Sequence, residues 1–365
     1  PIFQAALTFH SQEAANLELN RLNWSEEPVE SLTSKFDLML GLSESPAGEI
    51  SGTLEYDSDL YDLSTIEMIW KSWVALMQAL TDDMLAPVMS LSMLSKDERQ
   101  AQIALATGQP LQDTVGASTI SSLFDQQVRS HSDRVALALD DESLTYAELD
   151  ARANQMARHL ISLGIGPDDL VGMLLERSID MVVATLGIVK SGAAYLPLDP
   201  SHPVSRIQFM LHDSQARALI SSQVLLDETS LLQDSSQGSG DAFQVIEIDD
   251  MVTEVALSMQ PDTPIEACER VRPLLPAHLA YLIYTSGSTG QPKGVGNTQA
   301  NVCALAKDPS YCSIRAGDTL LQLASTAFDA ATFEIWGALL NGATLAIAPP
   351  GRIGLDQIAK TIEQH

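Results

Sequence analysis

LAYLIYTSGSTGQPKG, residues 279–294, is the stretch on which the reading of the whole chain turns. The apolar run Leu279 to Tyr284 has the length and the aromatic and β-branched content of a buried strand. It feeds directly into Thr285-Ser286-Gly287-Ser288-Thr289-Gly290, then Pro292-Lys293-Gly294. Glycines let backbone N–H groups approach and point at an anion. Four hydroxyls add neutral donors and Lys293 adds a charge, so the segment suits a polyphosphate. It is not a P-loop, because the Gly-Lys pair misses the offset of G-x-x-x-x-G-K-[ST], and the dinucleotide fingerprint G-x-G-x-x-G is absent. A Ser/Gly surface loop with no ligand is the alternative. The strand before it and the lysine after it favour phosphate.

Around this segment, helix and strand alternate from about residue 118. Ser118 or Thr119 opens a helix with Ile120, Leu123, Phe124 and Val128 on one face. The strand VALALD follows, and Thr145 with Glu148 forms a capping box before a helix that stops at Gly164. The strand LVGMLL, a helix from Ser178 to Ser191 closed by Gly192, the strand AYLPLD, a helix near 204–212 and the strand ALISS come next. Such repetition predicts an α/β fold of parallel sheets covered by helices. Residues 226–275 are less periodic and read as surface excursions.

Upstream, residues 1–95 carry strand-like alternation (FQAALTF, KFDLMLGLSE, ISGTLEY). A helix follows, with Ile66, Ile69, Trp73, Leu76, Met77 and Leu80 at helical spacing and Ser64 or Thr65 as its N-cap. The polar stretch 96–117 reads as an interdomain linker. The first and last residues read as cut ends of longer elements.

Composition excludes several classes. The chain has 365 residues, 45% of them hydrophobic, too many for a disordered chain. Its 20 Lys+Arg against 48 Asp+Glu give a formal charge of −28. That balance argues against nucleic acid or an anionic membrane as partner. Cys268, Cys303 and Cys312 form no C-x-x-C pair, which fits neither a disulfide scaffold nor a zinc site and points to a reducing, cytoplasmic setting. No metal-ligand pattern is evident, and no apolar run is long enough for a membrane span.

With these residues in place, TSGSTGQPKG resembles the phosphate-binding signature of the adenylate-forming (AMP-binding) superfamily. LTYAEL (144–149), VKSGAAYLPLDP (189–200) and FDAATFEIWGALLNGA (328–343) resemble further core motifs of adenylation domains in nonribosomal peptide synthetases. Residues 1–95 resemble the C-terminal part of a condensation domain, itself a partial α/β, acetyltransferase-like fold. The resemblance therefore implies 1–95 as that part, 96–117 as linker and 118–365 as the incomplete N-terminal subdomain of an adenylation domain.

It also implies the chemistry. An amino acid's carboxylate attacks the α-phosphorus of ATP, an aminoacyl-adenylate forms and pyrophosphate leaves. Catalysis there is positioning and charge neutralisation. Thr285, Ser286, Gly287, Ser288, Thr289, Gly290 and Lys293 would hold the phosphates with Mg²⁺, and Lys293 and Thr289 would be the catalytic pair. Asp329 matches the acid that pairs with the substrate's α-ammonium, although by spacing alone it could equally cap the helix after it. Ala330 and Phe333 match pocket positions and lean towards a neutral, aliphatic amino acid. Neighbouring condensation and carrier domains, the latter bearing phosphopantetheine, are the implied partners.

The chain departs from the family at Gln299, where His is common, a change read as tolerated. None of its seven histidines is adjacent to another, so the H-H-x-x-x-D-G motif of condensation domains is missing, and each histidine reads as surface or structural. A fragment inactive by itself is the expectation. A stand-alone acyl-CoA or aryl-acid ligase and a non-catalytic scaffold piece remain as alternatives.

Overall fold

Contacts divide the chain into two units, Pro1–Gln109 and Pro110–His365, in a computed structural model that describes residues 3–11, 33–107, 117–231, 243–285, 292–307, 311–351 and 353–364.

In the first unit, β1 (Ala5–Ser11) pairs parallel with β2 (Leu38–Glu44), which pairs antiparallel with β3 (Ile50–Tyr56). The helix α1 (Leu63–Asp82) starts earlier than the sequence suggests. Asp62 takes the cap position without a side-chain cap bond, and Ser64 and Thr65 lie inside the first turn. The spacing of the apolar stripe is as expected. Trp73, Met77 and Leu80 face Phe9 and Leu42 across a groove of about 890 Å³. Part of the stretch read as a linker is helical: α2 spans Lys96–Ala106. Ser95 and Glu98 explain it, because each accepts the other's backbone N–H, at 3.2 and 3.1 Å respectively, in a capping box.

The second unit holds two sheets. The larger runs β11-β10-β7-β6-β8-β9, from β6 (Leu170–Leu174), β7 (Ala194–Pro197), β8 (Ala218–Ser221), β9 (Gln244–Glu247), β10 (Leu279–Thr285) and β11 (Lys293–Thr298). All its pairings are parallel except β10 with β11. The smaller runs β12-β13-β4-β5, from β4 (Val135–Leu139), β5 (Glu142–Thr145), β12 (Thr319–Gln322) and β13 (Thr344–Ile347). The expected parallel sheets with helical cover are present. The region 226–275 differs from expectation. It supplies the edge strand β9 and the helix α8 (Met251–Ser258), the latter capped by Asp250. The four residues of β9 (QVIE) are too short a run for periodicity to reveal.

The helices α3 (Ile120–His131), α4 (Tyr146–Ser162) and α5 (Ile179–Ser191) pack together, and α5 touches β6 and β7 of one sheet and β4 of the other. Every residue of α5 but Asp180 is buried, which is why it is apolar all round rather than striped. Its ends follow the local signals. Ser178 accepts the Met181 N–H, and Gly192, at φ 101°, closes the helix in a conformation that other residues avoid. Gly187 allows close approach to α4, since a Cβ there would lie 2.5 Å from Met156.

Gln299, first residue of α9 (Gln299–Lys307), is fully buried. Its Oε1 accepts the Ile120 N–H at 3.1 Å and its Nε2 donates to the Leu279 carbonyl at 3.4 Å. One amide thus joins the start of α3 to the start of β10. A neutral imidazole also offers one donor and one acceptor. Gln299→Leu is expected to cost about 1–3 kcal/mol by orphaning the Ile120 N–H, and Gln299→His substantially less. Urea unfolding midpoints of the two variants test this.

Candidate functional site

A cleft of about 840 Å³ opens beside the carboxyl ends of β7 and β10. In open parallel sheets this is where ligands bind. Thr285, the last residue of β10, lines it and pairs in register with Lys293, the first residue of β11. Strand β10 therefore leads through the Ser/Gly segment into a second strand, not into a helix as in a P-loop. Ser286, Gly287, Ser288, Thr289 and Gly290 lie outside the described residues. Lys293 is exposed, and its carbonyl accepts the Thr285 hydroxyl at 3.4 Å.

Asp329, Ala330 and Phe333 line the same cleft. The helix they open, α10 (Ala330–Leu339), has Asp329 at its N-cap position in helical geometry with no side-chain cap bond. The capping alternative therefore fails on geometry. Among the described residues, no hydrogen bond or ion pair occupies the exposed Asp329 carboxylate. Tyr281, Ile283 and Leu305 give the neighbouring wall its apolar character.

The loop between β12 and α10 is held from three directions. Glu334, in α10, accepts the N–H groups of Leu323 and Ala324, both at 3.1 Å. Burial pushes its carboxyl up, opposed by those backbone bonds and by Arg177. Arg177 donates to the carbonyls of Leu323, at 3.1 Å, and Pro349, at 2.8 Å. Ser325 donates to Asp199 Oδ2 at 3.0 Å, which ties the loop to the end of β7. Burial alone would raise the Asp199 carboxyl, but bonds from Ser201 and Ser325 outweigh it and leave it below its ordinary value. It is thus an ionised anchor at neutral pH. Ser325 and Arg177 lie outside the quoted motifs, and Asp199 and Glu334 lie inside two of them without standing out as site residues. A lone acid in the otherwise apolar AATFEIWGALL was the one available signal.

On the β7 side, His202 and Arg206 also line the cleft. Arg206 lies on α6 (Val204–Asp213), which Tyr284 fastens to β10 by donating to Asp213 Oδ2 at 2.5 Å.

No group of three or more His, Cys, Asp or Glu able to hold a metal occurs among the described residues. No helix among them is long and apolar enough to cross a membrane.

Comparisons with known proteins fit this geometry. The family model of AMP-binding enzymes matches residues 124–365, and that of condensation domains matches residues 1–103. The chain is 35% identical to gramicidin S synthase 2 of Brevibacillus brevis, over 94% of this chain and 7% of that protein. It therefore spans only a small part of such relatives. The AMPPNP-bound nonribosomal peptide synthetase FmoA3 superposes with a TM-score of 0.74 at 25% identity, covering 98% of this chain and 36% of that one. The N-terminal subdomain of Klebsiella oxytoca NpsA, in complex with 3-hydroxybenzoyl-AMSN, gives 0.58 at 29% identity, covering 70% and 60%.

Proposed function

The chain belongs to the AMP-binding enzyme family, and from that premise we propose that the cleft of its second unit activates an amino acid with ATP within a nonribosomal peptide synthetase module. The observation that carries the reading is one cleft shared by Thr285, which precedes the Ser/Gly segment, and by the Asp329 carboxylate, unpaired among the described residues. A dipolar substrate would set its ammonium on Asp329. Its carboxylate oxygen then forms a bond to the α-phosphorus of ATP, the bond from that phosphorus to the bridging oxygen breaks, and pyrophosphate leaves. Ala330 and Phe333 would touch the side chain and favour a neutral one. Ser286, Gly287, Ser288, Thr289, Gly290 and Lys293 would receive the phosphates beside Thr285. With no ligand cluster among the described residues, magnesium would arrive as part of the nucleotide substrate.

The first unit would supply the end of a condensation domain, with the boundary inside 96–117, and the adenylate would pass to the phosphopantetheine thiol of a carrier domain. An intact module is expected to exchange label between pyrophosphate and ATP only in the presence of its amino acid, and the isolated 365 residues to show no exchange. Lys293→Ala in the module should raise the KM for ATP about tenfold or more, as loss of a charge-assisted contact implies. Exchange driven by an aryl acid and by no amino acid would instead support a stand-alone ligase.

A further inference from the structure

Arg206 is distinguished by what it lacks. The other arginines of the second unit that are not exposed all donate to named acceptors. Arg158 binds Glu269 at 2.7 Å, Arg177 binds backbone carbonyls, and Arg270 binds the Lys190 carbonyl at 2.9 Å. Arg206 is half-buried in the cleft wall, and its Nε is fully buried with no partner among the described residues. Nδ1 of His202, four residues earlier in the same wall, is likewise buried without a partner. A buried N–H without an acceptor is costly, and an anion bound against it is one remedy.

We infer that Arg206, with His202 beside it, binds the pyrophosphate portion of ATP in this cleft. The inference rests on the adenylation reading above. Phosphate is favoured over a carboxylate by position. Arg206 is on the helix that follows β7, and β7 is the parallel neighbour of β10, whose end Thr285 opens the Ser/Gly segment. Tyr284, the residue before Thr285, also fixes α6 through Asp213, so the helix that carries Arg206 is tied to the end of β10. The planar fork of an arginine suits two phosphate oxygens at once. Burial and the neighbouring Arg206 charge hold His202 below its ordinary pKa, with Asp199 opposing. Arg206 is thus the fixed charge of the pair, and the His202 imidazole an adjacent N–H donor. In a chain of formal charge −28, such a cation weighs heavily in retaining a nucleotide.

The test is amino-acid-dependent ATP–pyrophosphate exchange by the intact module, with AMP inhibition as the control. Arg206→Gln should raise the KM for pyrophosphate and for ATP about tenfold to a hundredfold. The amino acid KM and the AMP inhibition constant should stay within a factor of about three, a split that a merely structural role would not produce. Arg206→Lys, which keeps the charge and gives up the fork, should fall between. Unchanged pyrophosphate and ATP KM values overturn the inference and leave the adenylation reading standing, as does a shift confined to the amino acid KM. Unfolding of both variants makes Arg206 structural and overturns it too. Absence of exchange in the unaltered module, with any amino acid, removes the adenylation reading and this inference together.

Discussion

Asp329→Ala, in the intact module, is expected to lower exchange with α-amino acids by about a hundredfold to a thousandfold while leaving the fold's stability unchanged. A hundredfold to a thousandfold corresponds to about 3–4 kcal/mol, the size of a charge-assisted contact that bound substrate closes off from solvent. Stability is the discriminating half. An N-cap aspartate replaced by alanine costs about 1 kcal/mol. Asp329 has helical backbone angles and makes no cap bond, so its loss removes nothing from α10. Asp329→Asn keeps the size of the side chain and should fail nearly as badly, because the charge is the functional part. A substrate analogue lacking the α-amino group should discriminate little between the variants. An Asp329→Ala module that activates α-amino acids normally sinks the ammonium assignment. One that melts several degrees lower restores the capping role that the geometry removes.

Legibility in the sequence followed the range of the interaction. The capping box at Thr145 and Glu148 and the Ser178–Gly192 boundaries rest on contacts a few residues apart, and the structure has them where the pattern predicts. Where the helix start lacks a bonded cap, as at Asp62, the prediction slips by two or three residues. Asp199 and Ser325 meet across 126 residues, and Gln299 and Ile120 across 179. No local periodicity encodes such meetings. The candidate site was legible where a motif covers it, at Thr285 and Asp329. It was not legible at Arg206, whose significance is a buried donor without a partner among the described residues. Composition, too, gained meaning from the structure. The acidic excess first served to exclude nucleic acid. It also leaves few cations, which makes the placement of each one informative.

The lysine of VKSGAAYLPLDP shows how a motif residue can act on the fold rather than the chemistry. Lys190 is in the last turn of α5, 1% exposed. Its Nζ lies 2.8 Å from Asp125 on α3 and 2.6 Å from Asp150 on α4. It also donates to Asn154 Oδ1 at 3.0 Å and sits 5.6 Å from the centre of the Phe124 ring. One ammonium thus fastens three helices, of which α5 touches both sheets. Lys190→Met fills most of the volume but strands the Asp150 carboxylate, which is itself buried. Removing one partner of a buried ion pair costs about 3–5 kcal/mol. That is a large share of the about 5–15 kcal/mol by which a domain is stable, so the urea midpoint of the chain should fall steeply or folding fail. Adding Asp150→Asn should recover part of the loss, because an amide needs no counter-charge. This non-additivity separates a charge effect from a packing effect. If Lys190→Met leaves the midpoint in place, the two carboxylates are solvated and the network holds nothing. The consequence for function is indirect. Helix α5 leads through Gly192 into β7 and then to Asp199, which holds the loop of Asp329 through Ser325. Destabilised α5 should therefore weaken amino acid binding even at temperatures where Lys190→Met remains folded, and a raised amino acid KM below the melting transition is the measurement that shows it.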